Sequence, residues 1–264
     1  MYNLLIKFFG SLIDFVLPGK LKELQIRISR LNINSPKEIQ DFIDLYDETF
    51  PFDGSNYTSG ELLEVLEDIQ NSKKHVTADN IILVAKYQDK IVGFIACFFY
   101  PQKKYGIIGY FGKTKSFNDV GKYCGTKLLK ELKKILIEKH DCELLVFELK
   151  IDEHIKGKKS LFKSYTKNLG LVVYELLNFQ YFRPKLNLDD TTEEELELLI
   201  IPIKNIVSTT FSKEKILDIL NFIHFYCYGD YYEKDDNLHS AFQRYLQGRV
   251  EYYESNLQDE IGVK

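Results

Sequence analysis

The feature that most constrains this chain is a buried-looking apolar run that leads through glycines into a lysine-rich amphipathic helix. It spans residues 106–138, GIIGYFGKTKSFNDVGKYCGTKLLKELKKILIE. Ile107 to Phe111 read as a strand, and Leu128, Leu129, Leu132, Ile135 and Leu136 recur at helical spacing. A loop carrying Gly121 and Gly125 lies between them. A strand that delivers a glycine loop to a helix N-terminus is one way to hold a phosphorylated ligand. Backbone N–H groups converge there and the helix dipole favours negative charge. The stretch therefore raises the expectation of a pyrophosphate site.

Composition narrows the surroundings. The chain has 264 residues, 45% hydrophobic and 28% charged, which is ample material for a folded core. Its four cysteines, Cys97, Cys124, Cys142 and Cys227, form no close pair. That argues against a disulfide framework or a zinc site and fits a reducing, cytoplasmic setting. The histidines show no metal-ligand spacing, and no metal is expected. Net charge is −4 but unevenly spread: residues 102–139 hold ten lysines against three acids, while the chain from Asp189 onward holds sixteen acids against seven Lys and Arg. Two solvated faces would look like this, and so would a lysine field that draws in an anionic cofactor. Few arginines and an acidic total disfavour nucleic acid.

Residues 1–17 make an amphipathic segment ended by Pro18-Gly19, too short and too interrupted by Lys7 and Asp14 to span a membrane. Its apolar face calls for cover by the domain, by a second copy of the chain in a homodimer, or by weak contact with a membrane surface. LQIRISRL (24–31) alternates like a half-buried strand. Ser35-Pro36-Lys37-Glu38 and Thr58-Ser-Gly-Glu61 each read as a helix start, the first helix stopping at Pro51. IILVAKY and IVGFIACFFY flank a turn at Gln88–Lys90 and predict a hairpin, with Tyr105–Phe111 as its neighbour. Glu143–Leu149 predicts a buried strand. A helix from about Lys159, closed by Gly170, follows, and then strands over Leu171–Phe182 and Glu195–Ile201. The order predicts an α/β fold with a mixed sheet. It divides as an N-terminal helix (1–20), a main domain (21–202) and a tyrosine-rich helical C-terminal extension (203–264) packed on that domain.

This order, with glycines after the central strand, resembles the GNAT superfamily of N-acetyltransferases over roughly residues 24–202. Thr49-Phe-Pro51, IVGFIACFF and Tyr165-Thr-Lys-Asn-Leu-Gly are similar to family motifs, the last with one extra residue before its glycine. In the loop that cradles the pyrophosphate of acetyl-CoA, Gly125 matches the family pattern. Val120 and Tyr123 stand where the family has Gln or Arg and glycine. LGLVVYELLNFQYFRP and LELLIIP further resemble a bacterial group within the family.

The resemblance implies a GNAT-like fold and acetyl-CoA as co-substrate, with a primary amine, on a small molecule or a protein, as acceptor. It implies that Tyr110, Phe111, Gly112 and Lys113 pair with the pantetheine arm, with a backbone N–H near Phe111 polarising the thioester carbonyl. Gly121, Lys122, Tyr123, Cys124, Gly125 and Thr126 would line the pyrophosphate. A thiol of pKa about 8.5 leaves with help from a modest acid, and Tyr165 is the family-guided choice, although its place on an apolar stripe also fits simple packing. Glu148 is the candidate base, or else a solvent-facing edge residue. The departures at Val120 and Tyr123 leave open a second reading, a catalytically degenerate GNAT-fold module that works by binding a partner.

Overall fold

The computed structural model describes residues 25–51, 58–70, 78–114, 118–150, 172–185, 187–189, 193–203, 209–229, 232 and 236–263. The N-terminal segment 1–20, the helix expected from Lys159 and Tyr165 lie outside the described residues. In chain order the elements are β1 (Arg27–Arg30), α1 (Pro36–Thr49), α2 (Ser59–Gln70), β2 (Asp79–Tyr87), β3 (Lys90–Tyr100), β4 (Tyr105–Lys113), α3 (Asn118–His140), β5 (Leu144–Lys150), β6 (Tyr174–Glu175), β7 (Tyr181–Phe182), β8 (Glu195–Pro202), β9 (Thr210–Ser212), α4 (Lys213–Asn221), a π-helical turn (Phe222–Cys227), α5 (Asp236–Asn256) and β10 (Glu260–Gly262). Strand order in the main sheet is β1-β2-β3-β4-β5-β8-β6, with β7 also on β8; β9 and β10 form a small second sheet. The β4–β5 pair is parallel, while β1–β2 and β5–β8 are antiparallel. The sheet is mixed and helices flank it, as the sequence predicts.

Contacts divide the chain into two compact units. One takes residues up to 73 with 80–96 and 110–134, and the other takes 74–79, 97–109 and the chain from 135 onward. In the first, Ser35 caps α1 by accepting the Glu38 N–H at 3.3 Å. Glu38 does not complete a capping box; it accepts the Asn32 N–H (2.9 Å) and pairs with Lys86 (2.6 Å), tying the helix start to β2. Thr58 and Glu61 do make the reciprocal box, at 2.7 and 3.3 Å. The β2–β3 turn is Gln88-Asp89, both at positive φ (49° and 61°), the geometry that matches strand twist in a two-residue hairpin. α1 buries Phe42, Ile43, Leu45 and Tyr46, where Phe94 meets Phe42 edge-on at 5.0 Å.

The second unit is built around β5 and β8, which pair from Leu144–Pro202 to Lys150–Leu196. One core joins sheet residues Ile107, Val146 and Ile200 with Ile216, Phe222, Ile223 and Tyr253 of the C-terminal segment. α4 is fastened by a polar cluster: Tyr105 donates to Asp218 (2.6 Å), Lys103 pairs with Asp218 (3.0 Å), and Lys215 donates to the Tyr105 hydroxyl. Two expectations need correction. Leu171–Phe182 is not one strand: β6 and β7 are separated by a turn with Asn178 at φ 54°, because Leu176 bridges to Val263 and Leu177 N–H donates to Gly262 instead of β8. The C-terminal extension is not purely helical, since β10 returns along β9.

Candidate functional site

β4 changes character along its length. Tyr105 to Ile108 are buried and pair in parallel with Leu144 to Phe147. That register ends at Ile108–Phe147. Gly109, Tyr110, Phe111 and Lys113 are exposed or half-buried, while Gly112 is buried. On the β3 side the hydrogen bonding continues, for Thr114 N–H still donates to the Val92 carbonyl at 3.1 Å. Tyr110 to Lys113 thus lie beyond the β5 ladder.

Phe111 and Gly112 owe their positions to close packing. A Cβ at Gly125 would stand 3.1 Å from the Phe111 ring, and one at Gly112 would stand 2.6 Å from the Phe94 ring. The Tyr110 ring meets Tyr46 edge-on at 5.1 Å and Phe50 at 5.4 Å. At the strand's end the buried Thr114 hydroxyl lies 3.2 and 3.3 Å from the two oxygens of Glu48, near the end of α1. Sequence reasoning missed Glu48. The signal available was its place immediately before the quoted Thr49-Phe-Pro51, and its partner is 66 residues away.

The expected glycine loop requires correction. α3 begins at Asn118, so Gly121 and Gly125 are helical. Asn and Asp at the first positions favour a helix start there, and two glycines, each costing about 1 kcal/mol in a helix interior, do not outweigh a helix with so long an apolar stripe. Among the helical residues, the N–H groups that a helix starting there leaves without an intrahelical partner are those of Asn118 to Val120. Lys122 and Tyr123 follow on the helix backbone. Gly125 and Thr126 lie in its second turn and are half-buried. The Cys124 thiol faces inward, 3.8 Å from the Val92 carbonyl, and burial raises it to about 11, with the Lys113 charge working the other way. It is a protonated packing group. Of the lysines, Lys127 donates to the Ile26 carbonyl (3.1 Å), and Lys104 pairs with Asp141 (2.8 Å). Part of the lysine excess therefore serves the fold.

Glu148 sits in the second unit, half-buried on β5. Its Oε1 accepts from Tyr181 and its Oε2 accepts from Tyr228 at 2.6 Å. Burial first, then the Glu148 charge, pushes both phenols well above their usual range, so both are hydrogen-bond donors at neutral pH. Arg183 lies over the Tyr228 ring at 5.8 Å. Both tyrosines come from parts of the chain that carry no local signal joining them to β5.

Residues 39–157 match the family described as Acetyltransferase (GNAT) family. That stretch of the chain is a GNAT domain. It contains β4, α3, Glu48 and Glu148, whereas Tyr181 and Tyr228 lie beyond it. No curated protein matches the chain. Among solved structures, an acetyltransferase from Streptococcus agalactiae is 18% identical, with a TM-score of 0.45, covering 67% of this chain and 98% of that one. The aminoglycoside 6'-N-acetyltransferase from Enterococcus faecium is 17% identical, with a TM-score of 0.43, covering 69% and 99%. The PaiA N-acetyltransferase from Thermoplasma acidophilum, solved in complex with coenzyme A, is 16% identical, with a TM-score of 0.43, covering 67% and 98%. At these values the likenesses say nothing of what this GNAT domain acts on. Among the described residues no helix is long and apolar enough to cross a membrane, and no group of His, Cys, Asp and Glu is placed to hold a metal ion.

Proposed function

We propose that the GNAT domain transfers the acetyl group of acetyl-CoA to a primary amine, on a small molecule or a protein, by direct attack on the thioester. The observation that carries this reading is the end of the β4–β5 ladder at Ile108. Beyond it, Tyr110 to Lys113 retain backbone groups outside that ladder, and these suit the amides of a pantetheine arm. The unpartnered N–H groups at Asn118–Val120 suit the pyrophosphate. Gly125 acts indirectly, by letting the Phe111 ring pack against α3.

In the reaction the amine nitrogen bonds to the acetyl carbon and the carbon–sulfur bond breaks. The nitrogen gives its proton to a base, and the departing thiolate takes one from an acid. A backbone N–H near Phe111 polarises the carbonyl oxygen. Tyr165 remains the proposed acid. Two carboxylates stand for the base. Glu148 has both oxygens engaged by tyrosine hydroxyls, and Glu48 is an exposed residue whose carboxylate faces Thr114 at the end of β4. We assign the proton to Glu48 and give Glu148 the role of holding Tyr181 and Tyr228 in place.

A thiol-release assay over a panel of primary amines tests the reading. Turnover with at least one amine is expected. Glu48→Gln should then lower kcat by about 100-fold or more with an unchanged melting temperature. Glu148→Gln should lower the melting temperature and spare most of kcat. No turnover with any amine would favour a non-catalytic binding module, and the reverse pattern in the two variants would return the base to Glu148.

A further inference from the structure

The last turn of α1 carries two acids, Asp47 and Glu48, and no basic residue. This is the unfavourable end of a helix for carboxylates, because the carbonyl groups left over there present partial negative charge. Both residues are exposed, so the core does not hold them. Each is met instead by a hydroxyl from another element. Ser59, at the start of α2, lies 2.8 and 2.7 Å from the two oxygens of Asp47. Thr114 lies 3.2 and 3.3 Å from the two oxygens of Glu48. The first contact joins neighbouring helices. The second reaches 66 residues along the chain to the residue that follows β4.

The meeting of Glu48 and Thr114 is prepared on both sides. Thr114 is buried, and its N–H donates to the Val92 carbonyl at 3.1 Å, which holds the residue against β3. Gly112 supplies the room for α1, since a Cβ there would stand 2.9 Å from the Thr49 methyl. Thr49 in turn donates to the Leu45 carbonyl at 2.7 Å and keeps the last helical turn closed. The kind of donor also matters. A lysine or arginine beside Glu48 would offset its charge and tie its oxygens into an ion pair. A threonine hydroxyl brings no charge. Placed almost equally between the two oxygens, it fixes the direction of a side chain that otherwise spreads over several rotamers.

We propose that Thr114 is a positioning residue for the base of acetyl transfer: its hydroxyl aims the Glu48 carboxylate along the end of β4, the strand assigned to the acyl donor. The inference rests on the acetyl-transfer reading above. Thr114 keeps its own proton throughout, and the proton that leaves the amine nitrogen goes to Glu48.

Thiol-release kinetics and urea unfolding of the wild type, Thr114→Val, Thr114→Ser, Glu48→Ala and the Thr114→Val/Glu48→Ala double variant test it. Thr114→Val, which keeps the shape and removes the donor, should lower kcat about tenfold and leave the KM for acetyl-CoA within about twofold. Thr114→Ser, which restores the hydroxyl, should bring kcat back to within about threefold of the wild type. In the Glu48→Ala background the valine should slow nothing further, because no carboxylate is left to aim. The shifts in urea midpoint should be non-additive in the same way, and that cycle needs no turnover. Thr114→Ala replaces the valine variant in both cycles if the latter does not fold. An unchanged kcat in Thr114→Val, no recovery in Thr114→Ser, or the same loss with and without Glu48 would overturn the proposal. Turnover with additive urea shifts would overturn the positioning role and leave the acetyl-transfer reading standing. No turnover by the wild type with coupled urea shifts would overturn that reading, and the catalytic role of Thr114 with it, while the contact stood.

Discussion

At the scale of single residues, close contacts and buried polar atoms set the strongest constraints. Gly112 lies on β4 where a Cβ would meet the Phe94 ring at 2.6 Å and the Thr49 methyl at 2.9 Å. Phe94 is fully buried and packed against Phe42, Tyr46 and Phe50, so it has no room to withdraw. Gly112→Ala should therefore cost about 1–3 kcal/mol, measured by urea unfolding. An unchanged midpoint would show that the ring can move. His224, in the π-helical turn, is fully buried and donates through Nδ1 to the Leu220 carbonyl at 2.9 Å. Burial foremost, with help from the Arg249 charge and against the Leu220 hydrogen bond, pushes its pKa down to about 4. The unfolded chain titrates near 6.5 and so binds the proton first as pH falls. Stability is therefore complete above about pH 6.5 and falls by about 3 kcal/mol on the way to pH 4. His224→Asn, which keeps a donor near the Nδ1 position, should flatten that part of the curve. A pH profile identical to wild type would contradict this account.

At the scale of elements, the C-terminal segment is held by polar contacts at defined points as well as by its apolar core. Asp218 on α4 accepts from Tyr105 at the start of β4 and from Lys103 in the preceding turn. Tyr105 is 4% exposed, and burial, followed by the Asp218 hydrogen bond, keeps its hydroxyl protonated far above neutral pH. Asp218→Ala leaves that buried hydroxyl without its acceptor and should cost about 1–3 kcal/mol, whereas Lys103→Ala, a partly exposed ion pair, should cost about 1 kcal/mol or less. Chemical denaturation of the two variants checks the order, and equal losses would show that the cluster acts through charge alone. α5 uses its tyrosines in the same way: Tyr253 accepts the Phe182 N–H at 2.9 Å and Tyr245 accepts the Lys185 N–H at 3.2 Å. Of the tyrosines that crowd the sequence after residue 220, Tyr245 and Tyr253 thus cap backbone N–H groups of the strand region, while Tyr228 donates to Glu148.

At the scale of the whole molecule, what the sequence made legible was whatever depends on neighbours in the chain. Ser35 and Thr58 cap their helices, Pro51 follows the end of α1, the Gln88-Asp89 turn joins its strands, and Leu128, Leu129, Leu132, Ile135 and Leu136 are buried as their spacing predicts. The features that escaped depend on partners far along the chain. Glu48 meets Thr114, Glu148 meets Tyr181 and Tyr228, and Leu176 leaves β8 for Val263. The position of Gly121 within α3 escaped for a different reason: glycine looks like loop, while the helix start is set three residues earlier by Asn118 and Asp119. That correction moves the expected phosphate donors to the first turn and supplies a sharp test of the central claim. A carboxylate in the first turn favours the helix through its dipole, so Gly121→Glu should keep the fold while repelling a pyrophosphate. The measurement is calorimetric titration with coenzyme A of the wild type and of Gly121→Glu, beside their melting curves. The account predicts binding by the wild type and its loss in a variant that melts no lower. No heat with the wild type, or equal affinity in the two proteins, would contradict it.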